Sequence, residues 1–233
     1  MTAGSAKTNS PSPLEVRLGR KTLLVTGLLG IVGSLTVVTG NTIMYAYGEE
    51  AHAPQWALNT AYWAGSIALA FAGVGFYQTY VALRPAGDVL AMPPALLLAY
   101  FFALGSAGHG SFFAPWELEQ ALLDAEVGAQ EVNAISALKA DLQLHNNVLL
   151  LVPFTCLAIG SLWYSYVVFF KATLYPRWMG CLNLFLIAVS VFAAVVFASL
   201  TPLAETVLRG LGFHLGALMY FAVSLAVLLR RSV

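Results

Sequence analysis

Thr22–Tyr47 reads TLLVTGLLGIVGSLTVVTGNTIMYAY, 26 residues without a charge. A hydrocarbon core about 30 Å thick is crossed by about 20 apolar helical residues at about 1.5 Å each, so this stretch reads as a transmembrane helix. Working outward, the same test finds five more runs, at residues 56–83, 92–114, 146–170, 178–200 and 207–229. The sequence therefore predicts an all-α fold, a polytopic bundle of six transmembrane helices. Composition agrees: 59% of the 233 residues are apolar and 9% charged, against about 45–50% and about 25% in soluble domains. A soluble enzyme domain, a basic nucleic-acid binder and a disordered chain are excluded, because each needs charge that is absent here. The expected surroundings are membrane lipid, with no nucleic-acid partner.

Met1–Leu14 is rich in Ser, Thr, Gly and Pro. Residues 1–21 are accordingly read as a disordered cytoplasmic tail and residues 22–233 as a single transmembrane domain. Ala51-His52-Ala53 has the form of a signal-peptide cleavage site, but the apolar run before it far exceeds the about 7–15 residues of a signal core, so helix one is expected to be retained.

The formal net charge is zero, and the loops show how that zero is divided. Lys7, Arg17, Arg20, Lys21, Arg84, Lys171, Arg177, Arg230 and Arg231 fall on one side, with Lys139 and Arg209 as the exceptions. The positive-inside rule makes that side cytoplasmic, along with both termini, in a multi-pass cell-membrane protein. Glu49, Glu50, Glu117, Glu119, Asp124, Glu126, Glu131, Asp141 and Glu205 fall on the opposite side. The long connection Pro115–Leu144 carries Val132, Ile135, Leu138 and Leu142 at helical spacing. It predicts an amphipathic external helix between helices three and four, lying over the outer mouth as a lid.

Cys156 and Cys181 are predicted at different depths, too far apart for the about 7 Å limit between bridged Cα atoms. Ionisable residues in membrane helices are costly and mark functional sites. All four histidines, His52, His109, His145 and His214, fall toward the outer side. Asp141 and His145 stand at i and i+4, where helical side chains meet, so the carboxylate can orient the imidazole. His109 sits among small residues in Gly105-Ser106-Ala107-Gly108-His109-Gly110-Ser111, which let a neighbouring helix or a ligand come close. Asn41 with Tyr45, and Asn59 with Tyr62 and Trp63, share helix faces in the same outer half, although Asn and Tyr there also serve interhelical hydrogen bonds and the interfacial belt. The expected site is an outer pocket with His109, His145 and Asp141 as catalytic residues. Asn41, Tyr45, Asn59, Tyr62 and His214 would bind substrate, with Glu49 and Glu50 near the rim.

Tyr175-Pro176-Arg177-Trp178-Met179-Gly180, with Gly40-Asn41-Thr42-Ile43-Met44-Tyr45 and Gly108-His109, is similar to small six-helix bacterial integral membrane proteins classed as domains of unknown function. The resemblance implies the helix number and topology and no activity. Unlike the rhodopsins, this chain has no Lys inside its six predicted helices.

Three functions follow from the site. The first is a membrane-embedded isomerase, cyclase or hydrolase acting on a lipophilic small molecule, with His109 and His145 exchanging protons and Asp141 orienting His145. The second is a metal or haem protein, since imidazoles at one depth suit Zn, Cu or an axial haem site. The third is a small-molecule carrier, which at this length calls for a homo-oligomer. The cofactor is not legible from the sequence.

Overall fold

A computed structural model describes residues 13–47, 54–111, 129–197 and 201–231. Within them the chain forms α1 (Pro13–Tyr45), α2 (Gln55–Val74), α3 (Tyr77–Leu83), α4 (Asp88–Ser111), α5 (Ala129–Phe170), α6 (Leu184–Phe197) and α7 (Pro202–Arg231), with 3-10 turns at Arg84–Ala86 and Arg177–Cys181. No strand occurs among the described residues. Five helical stretches are long and apolar enough to cross a membrane, and α6, with 14 residues, is a shorter apolar helix.

The exterior is built for lipid. Leu28, Val32, Leu35, Phe71, Leu96, Leu162 and Phe192 are exposed, and the exposed hydroxyls among them are satisfied by their own helices. Thr36, Thr39, Thr42, Thr60 and Thr155 each donate to the carbonyl four residues back, at 2.7–2.9 Å. In hydrocarbon no water is available to do this, so the helix must.

Helix one packs on helix two through small residues. A Cβ on Gly33 would stand 2.5 Å from the Ala68 carbonyl oxygen, and one on Gly75 would stand 2.7 Å from the Gly30 Cα. The close approach needs glycine on both helices. It also explains a departure from sequence expectation: the run at 56–83 is not one helix. Gly75 and Phe76 bond back three residues, to Ala72 and Gly73, and this tight turn separates α2 from α3. Phe76 then enters the core, with its ring centroid 5.3 Å from Phe102 and 5.0 Å from Phe221.

Three other boundaries differ. Helix one begins at Pro13, so Pro13–Lys21 is helical and only the part of the expected tail before Pro13 lies outside the described residues. Pro176 opens a 3-10 turn, and the helix proper starts at Leu184, later than the expected 178. The third difference concerns the lid. The periodic segment from Ala129 does not fold back over the bundle as a separate helix; it runs unbroken into helix four as the 42-residue α5, about 63 Å long at about 1.5 Å per residue. No Gly or Pro lies between Gln130 and Val152, so every residue there extends the helix at the cost of one more fixed residue and the gain of one more bond. The remainder of the expected connection, 115–128, lies outside the described residues.

The basic residues gather at one end. Leu174 N–H donates to the Ala82 carbonyl at 2.8 Å and Arg231 donates to the Leu174 carbonyl at 3.0 Å. These bonds hold the ends of α3, α5 and α7 together, with Arg84, Lys171, Arg177 and Arg230 nearby in sequence.

At this basic end buried polar groups are joined in a knot, with Gln78 beside it left unpartnered. Thr79 Oγ1 and Tyr220 OH are 2.6 Å apart, Tyr175 OH meets Ser224 Oγ, and Tyr164 OH donates to the Met179 carbonyl at 2.9 Å. Asn183 stands beside it, at the start of α6. Its Nδ2 donates to the Ser161 carbonyl and to Ser165 Oγ at 2.9 and 2.7 Å, while its Oδ1 accepts from the N–H groups of Phe185 and Leu186 at 2.9 and 3.1 Å. It is thus the N-cap of α6 and the bolt that fastens α6 to α5.

Candidate functional site

The opposite end is organised around space. A cavity of about 430 Å³ lies among α4, α5, α6 and α7, with Leu69 of α2 at its side. Helix α4 contributes Phe101, Phe102, Gly105, Gly108 and His109; α5 contributes Leu150, Pro153 and Phe154; α7 contributes Phe213 and His214. From α6 come Ala188, Val191, Phe192, Val195 and Val196. Among these lining residues the two histidines alone carry polar side chains.

Two glycines of α4 border the cavity. A Cβ on Gly105 would meet Leu69 at 3.6 Å, and one on Gly108 would meet Leu150 at 3.9 Å, ordinary contact distances, so each glycine leaves room for about one methyl group. Helices α5 and α6 touch over a short stretch, whereas α4 packs along much of α5. Asn183 fastens α6 to α5 at the basic end, and away from that bolt the two helices stand apart.

His109 and His214 face each other with ring centroids 6.2 Å apart and planes tilted by 56°. The His109 ring lies against Gly65 of α2, where any Cβ would strike it. One turn before His109, Ser106 Oγ donates to the Ser66 carbonyl and ties α4 to α2. His214 is flanked by Phe213 at 5.7 Å between centroids, and its Nδ1 is buried with no hydrogen-bond partner. A buried polar atom left alone costs about 1–3 kcal/mol, which places it among the features that call for an explanation.

The other residues expected at the site are elsewhere. His145 and Asp141 are both exposed on the N-terminal part of α5, and no hydrogen bond joins them among the described residues. His145 precedes Leu150, the first cavity residue of α5, by five positions; that is about 7.5 Å along the axis and about 140° around it. Its side chain therefore does not share the depth and face of His109. Asn41, buried, and Tyr62, half-buried, lie in the seam between α1 and α2, beside the small core of Met44, Ala57, Leu58 and Ala61. Both have interaction partners there. Asn59 Oδ1 accepts from Gln55 Nε2 at 3.2 Å on the same helix. The side chain of Tyr45, together with Glu49, Glu50 and His52, lies outside the described residues. Of the expected set, the structure brings together His109 and His214.

Sequence reasoning did not single out the aromatic walls, Phe101, Phe102, Phe154, Phe192 and Phe213, because Phe in a membrane helix carries no positional signal. Gly65 was equally silent. Asn183 did have a signal: an Asn immediately before an apolar run is an N-cap pattern.

Among the described residues no three of His, Cys, Asp and Glu come together. Two imidazoles are one protein ligand short of the usual catalytic zinc set. No family model matches the chain, and no match is found among curated proteins or solved structures.

Proposed function

We propose that this chain is a multi-pass membrane protein, its basic end on the cytoplasmic side, that takes a lipophilic small molecule into the His109/His214 cavity and acts on it by acid/base chemistry. The observation that carries the reading is the pair itself: two imidazoles with ring centroids 6.2 Å apart, side by side in the wall of an otherwise apolar cavity. A neutral imidazole holds a donor on one nitrogen and an acceptor on the other, so a facing pair can remove a proton at one point of a bound molecule and return one at another. In this reading His214 takes the place beside His109 that the sequence spacing gave to His145.

A carrier must open to both faces. Here the basic end is filled by the hydrogen-bonded knot and Asn183 beside it, which favours a site closed on one side over a transport path.

The test has two steps. Protein purified in lipid nanodiscs is extracted and its small molecules identified by mass spectrometry; one lipophilic species is expected in excess over bulk lipid, and its loss is expected in His214→Leu. The species is then incubated with the protein in D2O, where deuterium should enter its C–H positions with the wild type and not with His109→Ala or His214→Ala. A bound profile identical to bulk lipid, or exchange that survives both substitutions, would refute the reading.

A further inference from the structure

The chemistry of the cavity wall defines its guest more narrowly. Resting on the reading above, we infer that the ligand is an uncharged lipophile bearing a single hydroxyl or carbonyl group, and that it enters sideways from the bilayer between α5 and α6.

Charge is excluded by the lining. Around two imidazoles the wall consists of Phe, Leu, Val, Ala, Gly and Pro side chains, with no carboxylate, ammonium or guanidinium among them. Burying a carboxylate or an ammonium without a counter-charge costs several kcal/mol, more than two neutral hydrogen bonds return. A pure hydrocarbon fits the walls but makes no use of the imidazole edges of His109 and His214 among them. One hydroxyl, which donates once and accepts, or one carbonyl, which accepts, is met by that pair and adds no unpaired polar atom. Polar groups placed away from the pair would find no partner in a wall that is otherwise apolar. The volume of about 430 Å³ falls within the about 300–1,000 Å³ that accommodate drug-sized molecules.

The entrance follows from exposure. Phe154, Phe192 and Val196 line the cavity and are at the same time 50%, 67% and 52% exposed, so they form its rim. All three are apolar and belong to α5 and α6, the two helices that stand apart away from the basic end. Leu151, one turn from Phe154, is also exposed. A rim of this composition on the outside of a membrane bundle faces acyl chains, and a molecule dissolved in the bilayer reaches the histidines without crossing water.

Farnesol, farnesoic acid, farnesylamine and farnesane share one apolar body and differ in the head. With the full chain in phosphatidylcholine nanodiscs, and empty nanodiscs as the background, tritiated farnesol should bind at least 10-fold more tightly than the acid, the amine or the hydrocarbon compete for it. His109→Leu and His214→Leu should bring farnesol down to the level of farnesane, and Ala188→Phe, which fills the cavity, should abolish binding of all four. Should the acid or the amine compete as well as farnesol, the uncharged class is overturned while the cavity reading stands. Should farnesol bind wild type and Ala188→Phe alike, the cavity reading itself falls. For the entrance, bimane on Phe192→Cys, with Cys156 and Cys181 replaced by Ser, should be quenched by brominated acyl chains and not by aqueous iodide. Iodide quenching would place the mouth in water and overturn lateral entry.

Discussion

The two ends of this bundle differ in their buried polarity: the basic end is filled and, Gln78 excepted, hydrogen-bonded, while the far end holds a cavity. At the basic end Thr79, Tyr164, Tyr175, Tyr220, Ser224 and Asn183 are buried and each is hydrogen-bonded. At the far end His109 and His214 border a cavity, and a nitrogen of His214 is left over. In hydrocarbon no water makes up the difference, so a satisfied group contributes to holding the chain and an unsatisfied one costs it stability. A missing partner alone does not make a site. Gln78 is completely buried with both amide atoms unpartnered, packed against Gly27, yet it does not line the cavity. What sets the two histidines apart is that they line a cavity.

The comparison breaks most visibly at Asn183. Asn183→Leu removes two hydrogen bonds to α5, each worth about 0.6 kcal/mol between membrane helices, and the two that cap α6, together worth about 0.5–2 kcal/mol. A loss of about 2–3 kcal/mol is expected, read as a fall in the midpoint of thermal unfolding in detergent. A variant that unfolds with the wild type would mean that this fastening is incidental.

Gln78→Met tests the opposite sign. Methionine matches glutamine in length and brings no unsatisfied amide, so the protein should gain about 1–2 kcal/mol. A loss of that size would show that the amide has a partner after all. His214→Leu is expected to separate stability from binding: without ligand the unfolding midpoint stays level or rises by up to about 1 kcal/mol equivalent, because an unpaired buried nitrogen is gone, while farnesol binding falls. If both fell together, His214 would be part of the scaffold.

Much of the fold was legible because bilayer thickness imposes it on sequence. Runs such as Thr22–Tyr47 cannot be misread for length, and the basic residues do converge on one end through Arg231 and the 174 loop. The boundaries that slipped are the places where backbone geometry is set by contact rather than by composition. Gly75 ends α2 because Gly30 crosses it at close range, a fact stored in two helices at once. The candidate site was half legible for the same reason. An ionisable residue in an apolar run announces itself, so His109 and His214 stood out singly. Their pairing is a property of packing between α4 and α7, residues more than a hundred positions apart, whereas Asp141 and His145 were paired by a local rule that says nothing about which way the shared face points.

That last pair gives the smallest expected effect and the sharpest control. Asp141 and His145 are both exposed on the N-terminal part of α5, and exposed substitutions away from caps and networks usually stay within about 0.5 kcal/mol. Asp141→Ala with His145→Ala should therefore leave the unfolding midpoint, farnesol binding and deuterium exchange within error of wild type. Under the proposed function the imidazole positions then differ in outcome: those lining the cavity are required, and the one exposed on α5 is replaceable. Loss of exchange in the double variant, with stability intact, would reverse that assignment. It would also show that the outer stretch of α5 reaches the cavity in a conformation in which the helix bends near Pro153, the proline in α5 that cannot donate to the carbonyl four residues back.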